Sequence, residues 1–161
     1  METIQGTRRA AGRRVALVVS AFNDFVTDRL RAGAMAALQS AGVAADDVSI
    51  IHVPGAFEIP LAAQHAAESG RFDAIVCLGC LIRGETPHFE YISSAVAHGI
   101  TAAARLTRVP MSFGVLTTNS AEEALARAGE GPGNKGHEAA VAALEMADVV
   151  TQLSRQAAPR S

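Results

Sequence analysis

Four short runs of apolar residues alternate with longer segments whose apolar positions recur at helical spacing. The short runs are rich in Val, Ile and Leu and lack polar alternation, which is typical of strands buried on both faces of a sheet. The predicted strands are 13–20, 48–55, 73–80 and 110–117.

Turn and cap residues set the limits of the predicted helices. Asp24 is placed to cap a first helix, which Gly42 closes. Pro60 suits the first turn of the second helix, and Ser120 can cap the fourth. The helices predicted after the first are 58–70, 87–106, 120–129 and 136–153.

This alternation predicts parallel βαβ units, with helices on both faces of one sheet. A chain of 161 residues favours one domain, to which we assign residues 13–154. The segment 1–12 has no partner in this scheme, so we expect it to be flexible or docked on a neighbouring subunit. Residues 155–161 are predicted to form a C-terminal tail.

Composition narrows the class of protein. Hydrophobic residues make up 49% of the chain and charged residues 19%, which excludes a disordered chain or a coiled coil. The net charge of −2 gives no electrostatic reason to expect nucleic acid or an acidic membrane as a partner. No apolar run could span a bilayer and no signal peptide is recognisable, so we expect a cytoplasmic protein.

Ligands of such sheets bind beyond the carboxyl ends of the strands. Phe, Glu or His stand in three of the four loops at these ends, where a plain connection needs only Gly or Asn. These loops are 20–24, 53–58, 80–88 and 115–119. We therefore predict one site built from several loops.

His88 is the leading candidate for chemistry. It follows Glu85 and Thr86 at the start of a predicted helix, where free backbone N–H groups and the helix dipole favour an anion. An imidazole beside an anion site is placed for proton transfer on a phosphorylated substrate. A capping or surface role remains the alternative.

Three other residues allow two interpretations each. Phe22 is either half-buried core or a stacking platform for a flat ring. Arg127 is either a partner of a helix C-terminus or a bidentate phosphate ligand. Lys135 lies in the sequence GEGPGNKG, which is either a flexible link or part of the site, and Gly136 after it breaks the Walker pattern.

Metal and redox motifs are weak. Cys77 and Cys80 form CLGC inside an apolar run, where small buried thiols are ordinary core residues. The zinc-deaminase pattern would need HFE before the cysteine pair, and here the order is reversed. The histidines that lack partners at ligand spacing are His52, His65, His98 and His137.

The segments FNDFVTDRL, VPGAFEIP, LGCLIRGETPHFEYI, FGVLTTNSAEEALARAG and GNKGHEAAVAALEMA together resemble lumazine synthase, 6,7-dimethyl-8-ribityllumazine synthase. The resemblance covers residues 13–153. It implies a flavodoxin-like, three-layer α/β/α sandwich on a four-stranded parallel sheet. It also implies the penultimate step of riboflavin synthesis, the condensation of 5-amino-6-(D-ribitylamino)uracil with 3,4-dihydroxy-2-butanone 4-phosphate, without a metal or cofactor.

The resemblance also implies roles for individual residues. His88 becomes the proton-transfer residue, and Phe22 stacks on the pyrimidine ring. The other pyrimidine-site residues it implies are Asn23, Ala56, Phe57, Glu58, Cys80, Leu81, Ile82 and Phe113. The phosphate-site residues it implies are Glu85, Thr86, Arg127 and Lys135.

Assembly is the last expectation. Phe113 and Arg127 lie on the side of the fourth strand, away from Phe22, and the final helix is apolar on more than one face. The resemblance implies pentamers with sites between neighbours, and the short link 129–136 favours an icosahedral shell of twelve pentamers. Riboflavin synthase is a candidate partner. A flavin-binding module and a purely structural shell protein are the competing functions.

Overall fold

The structure is a computed structural model that describes residues 1–156, in which strands and helices alternate along the chain. The strands are β1 (Val15–Ser20), β2 (Val48–Val53), β3 (Ala74–Ile82) and β4 (Met111–Thr118). The α-helices are α1 (Asp24–Ser40), α2 (Ile59–Glu68), α3 (His88–Thr107), α4 (Ala121–Ala126) and α5 (Lys135–Gln156). All the predicted elements are present, with limits shifted by one to three residues.

The strands form one parallel sheet in the order β2-β1-β3-β4. This order reverses between β1 and β3, which creates a switch point where the following loops diverge. β2 ends before Pro54, which has no N–H group to continue the pairing. β3 continues to Ile82, which pairs with Thr118 at the end of β4. The predicted flavodoxin-like α/β fold is confirmed.

Alternate side chains of the central strands face two separate cores. Val15, Leu17 and Val19 of β1 join the core under α1 and α5. Ala16 and Val18 join the core under α2 and α3. Each fully buried Val or Leu side chain contributes about 1.5–3 kcal/mol relative to leaving it exposed. The sheet is therefore covered on both faces, and only its edges and strand ends are open.

The start of α1 differs from the prediction. Asp24 is the first residue of the helix, and the cap position belongs to Asn23, which adopts a left-handed backbone with φ 63°. The Asn23 side chain does not cap the helix, since its Nδ2 donates to the carbonyl of Cys80 at 2.8 Å. Asn tolerates this conformation better than most residues, so it can link the ends of β1 and β3.

The link before α5 is fixed by Asn134, a residue that the sequence analysis missed. Its side chain is 3% exposed, and its Nδ2 donates to the carbonyls of Arg29 at 3.1 Å and Gly129 at 2.9 Å. Its Oδ1 accepts from the backbone N–H groups of Gly136 at 2.8 Å and His137 at 3.1 Å. The predicted flexible link is thus an N-terminal cap of α5 that is anchored to α1.

The N-terminal segment lies along α5 of its own chain, a placement that neither expectation included. The backbone N–H of Thr7 donates to Asp148 at 2.9 Å, and Arg8 pairs with Glu145 at 3.1 Å. Of the predicted tail, residues 155 and 156 form the last turn of α5, and residues 157–161 lie outside the described part of the chain. No helix within residues 1–156 is long and apolar enough to cross a membrane.

Candidate active site

The loops after β1, β2 and β3 meet around a cavity of about 560 Å³ at the switch point of the sheet. Their placement follows from the strand order, because β2, β1 and β3 are neighbours and parallel. The residues that line this β1–β3 cavity are Phe22, Asn23, Gly55, Ala56, Phe57, Glu58, Leu81, Ile82, Gly84, Thr86, His88, Phe89 and Ile92. Most of the predicted pyrimidine-site residues are thus brought together.

Two phenylalanines at the cavity expose flat ring surface. Phe22 is 69% exposed and Phe57 is 62% exposed, although both side chains are large and apolar. Phe22 is held by its backbone N–H, which donates to the carbonyl of Pro54 at 3.0 Å. Phe57 sits in a single 3-10 turn, Ala56–Glu58, just before α2. Exposed aromatic faces on anchored loops are suited to stacking against a planar ring.

Cys80 lies beneath the cavity and does not line it. Cys80 is 1% exposed, and its carbonyl accepts the hydrogen bond from Asn23 Nδ2. Burial raises the pKa of Cys80 to about 11 and the pKa of Cys77 to about 12, so both thiols stay protonated at neutral pH. Buried, protonated thiols fit the interpretation of both cysteines as ordinary core residues. Leu81 and Ile82, which follow, are half-buried and line the cavity.

His88 is the first residue of α3, and it borders the cavity beside Thr86 and Gly84. The loop before His88 is exposed. The backbone N–H of His88 makes only a long hydrogen bond, of 3.4 Å, to Thr86 Oγ1. An anion could compete for these groups, since backbone N–H groups at a helix start have no partner within the helix. Glu85 is exposed and lies outside the cavity wall.

Arg83, which the sequence analysis did not single out, contacts three other side chains. Its Nε donates to Asn119 Oδ1 at 2.9 Å, and its Nη1 donates to the Glu90 carboxylate. Its guanidinium carbon lies 4.6 Å from the centroid of the Phe89 ring. The spacing of these residues along the chain gives no periodic signal, because their meeting depends on the path of the loop between β3 and α3.

Phe113, Arg127 and Lys135 border a different cavity of about 390 Å³ at the outer edge of β4. Phe113 is 48% exposed there. Arg127 donates through Nη1 to the carbonyl of Glu123 at 3.0 Å, and Lys135 pairs with Glu138 at 2.9 Å. One chain therefore holds the predicted residues in two groups, one around the β1–β3 cavity and one around this β4-edge cavity.

Comparison with known proteins decides the family. The family model of 6,7-dimethyl-8-ribityllumazine synthase matches residues 12–151. A protein of Desulfatibacillum aliphaticivorans named 6,7-dimethyl-8-ribityllumazine synthase is 46% identical over 149 residues, which are 92% of this chain and 96% of that protein. The chain belongs to the 6,7-dimethyl-8-ribityllumazine synthase family.

The motifs that carried the resemblance to the lumazine synthase family converge in space. GAFEIP supplies the turn before α2, and IRGETPHF supplies the end of β3, the loop and the start of α3. Both segments contribute to the β1–β3 cavity. Within residues 1–156, no three His, Cys, Asp or Glu side chains gather at a metal site.

Proposed function

We propose that this chain makes 6,7-dimethyl-8-ribityllumazine from 5-amino-6-(D-ribitylamino)uracil and 3,4-dihydroxy-2-butanone 4-phosphate, in sites shared by neighbouring chains. The observation that carries the proposal is the β1–β3 cavity, in which exposed Phe rings and a helix-start histidine border one space. Family membership supports the reaction and its two substrates.

The pyrimidine substrate is assigned to the rings and the backbone of the cavity. Phe22 stacks on the ring, and Asn23 lies beside the ribityl chain. Glu58 accepts hydrogen bonds from the ligand, as do backbone groups of Ala56 and Phe57. Leu81 and Ile82 supply the floor, together with Cys80, whose carbonyl already accepts a hydrogen bond from Asn23.

The butanone phosphate is assigned to the start of α3. Glu85 and Thr86 approach it from the loop, and the helix N-terminus favours its negative charge. Arg127 and Lys135 of a neighbouring chain complete the site, with Phe113 as a further wall. Arg127 has five N–H donors, and its bond to Glu123 occupies one of them.

Proton transfer is assigned to His88. Formation of the Schiff base releases one water, elimination releases phosphate, and ring closure releases a second water, so protons move in both directions. An imidazole can accept a proton in one step and donate it in another. Holding two substrates side by side supplies much of the rate without a strong acid or base.

Assembly into pentamers and then an icosahedral shell is part of the same proposal. β2 and β4 are the outer strands of the sheet, and β4 carries the half-exposed Phe113. On α5, Ala140 and Leu144 are buried in the chain's own core, while Met146 is 48% exposed on another side. A neighbour that covers these apolar surfaces is physically favourable. A cytoplasmic location and a partnership with riboflavin synthase stay predictions.

Incubation of the purified protein with both substrates tests the proposed reaction. We expect lumazine fluorescence to appear together with stoichiometric inorganic phosphate. A flavin-binding module would bind lumazine without forming it, and a structural shell protein would do neither. Either result would contradict the proposal.

A further inference from the structure

We propose that Arg83 is a positioning residue, which holds the start of α3 so that His88 faces the β1–β3 cavity. The inference rests on the proposed function for its effect on catalysis. Its structural part, the fixing of the helix start, rests on the contacts of Arg83 alone.

The side chain of Arg83 joins both ends of the loop that carries Thr86. The backbone N–H of Arg83, just after β3, donates to the carbonyl of Thr118 at 2.8 Å, which joins the end of β3 to the end of β4. Its guanidinium then reaches past the loop to Phe89 and Glu90 in the first turn of α3. The loop is thereby bridged by one side chain, and His88 lies directly before the residues that are held.

Each contact uses a different property of the guanidinium. Its face lies over the Phe89 ring, one edge binds the Glu90 carboxylate, and Nε binds Asn119. Asn119 is itself held, because its backbone N–H donates to Glu123 Oε2 at 2.9 Å. A planar fork with several donors suits this arrangement, and a lysine ammonium cannot reproduce it.

Stability is a poor explanation for this cluster. The side chains of Arg83 and Glu90 are 47% and 51% exposed, and exposed ion pairs contribute little to the free energy of unfolding. Phe89, however, lines the same cavity as His88. The contacts therefore act on the geometry of the cavity wall more than on the stability of the fold.

A double-mutant cycle tests the catalytic part. Arg83→Ala should lower kcat roughly 10- to 100-fold, since small displacements of a catalytic group have effects of that size. In the His88→Ala background the same change should cost less than about twofold, because residues that act through one another are not additive. Equal fold losses in both backgrounds would overturn the proposal.

Two further variants separate position from charge. Arg83→Lys keeps the charge and loses the planar fork, so its kcat should stay close to that of Arg83→Ala. Arg71→Ala is the matched control, because Arg71 also lies over a phenylalanine, at 5.1 Å from the Phe72 ring, just before β3 and far from the cavity. Its activity should equal that of the wild type. Full activity of Arg83→Lys would overturn the proposal.

Hydrogen exchange tests the structural part without any turnover. Amides of residues 88–92 should exchange faster in Arg83→Ala than in the wild type, whereas amides of β1 should not change. Unchanged exchange at 88–92 would overturn the proposal. If the wild type itself forms no lumazine, the proposed function fails, and exchange still decides whether Arg83 fixes the helix start.

Discussion

The β1–β3 cavity and the β4-edge cavity are built in different ways. The first is enclosed by three loops of one chain, and its position follows from the reversal of strand order between β1 and β3. The second lies at an open sheet edge, where the Arg127 guanidinium donates to the Glu123 carbonyl and the Lys135 ammonium pairs with Glu138. In the proposed function, the first cavity supplies most of the pyrimidine site, and the second contributes to a site on a neighbouring chain.

The largest expected effect belongs to the first cavity. His88→Ala should lower kcat about 10²- to 10⁴-fold and leave pyrimidine binding intact, because general acid–base catalysis is typically of this size. His98→Ala is the matched control, since His98 is exposed on the same helix and bonds only to Ser94. A rate that is unchanged across the pH range in His88→Ala would remove His88 from the mechanism.

A substitution at the β4-edge cavity should weaken the binding of one substrate more than that of the other. Arg127→Ala should raise KM for the butanone phosphate tenfold or more, because a charged hydrogen bond contributes roughly 1.5–3 kcal/mol. KM for the pyrimidine should change little. The control is Arg105→Ala, since Arg105 is exposed in the last turn of α3 and borders neither cavity, and it should leave both values unchanged. Equal losses for both substrates would mean that Arg127 supports the fold of α4 instead.

A substitution of Asn134 tests whether the start of α5, beside the β4-edge cavity, depends on a buried cap. Asn134→Ala should lower the free energy of unfolding by roughly 1–3 kcal/mol, because buried backbone groups at both ends of its contacts lose their partner. Gln39→Ala, an exposed change on α1, is the control for chemical denaturation. Similar midpoints for the two variants would show that Asn134 does not fix the start of α5.

The smallest effect concerns the N-terminal segment, which lies away from both cavities. A hydrogen bond from the Thr7 N–H, assisted by Gln152 and Arg13, lowers the pKa of Asp148 below its usual value. A lowered pKa in the folded state adds stability above the unfolded pKa, and this stability is lost as the pH falls through the folded value. Asp148→Asn should therefore lower Tm at pH 7, and its difference from the wild type should shrink as the pH falls below the ordinary aspartate value of about 3.9.

Asp46→Asn supplies the control for that experiment. Asp46 is exposed in the short turn before β2. Its substitution should change Tm little at either pH. A difference for Asp148→Asn that stays constant with pH would show that its carboxylate does not hold the segment.

Much of the first cavity could be predicted from the sequence, because it depends on local patterns. Buried strands are apolar runs, parallel strands place their following loops together, and Phe22 and His88 stand out in those loops. Ser120 was predicted as a cap for the same reason, and its Oγ accepts from the Glu123 N–H at 3.1 Å.

The features that could not be predicted from the sequence depend on contacts formed only in the folded chain. Asn23 and Asp24 are both acceptable cap residues, and only the Cys80 carbonyl decides in favour of a left-handed Asn23. The Asn134 side chain reaches the Arg29 carbonyl only because α1 passes beside it, and Arg83 reaches Glu90 only along the folded loop. Such long-range hydrogen bonds leave no periodic trace in the chain.

The central claim is that the two cavities meet between neighbouring chains. Refolding His88→Ala and Arg127→Ala chains together in equal amounts tests it most directly, with activity measured at a butanone phosphate concentration far below the KM of Arg127→Ala. If each site takes His88 from one chain and Arg127 from the next, random mixing should leave about a quarter of the sites intact and restore activity accordingly. No recovery, in mixed particles shown to have formed, would place both residues in a site of one chain and contradict the account.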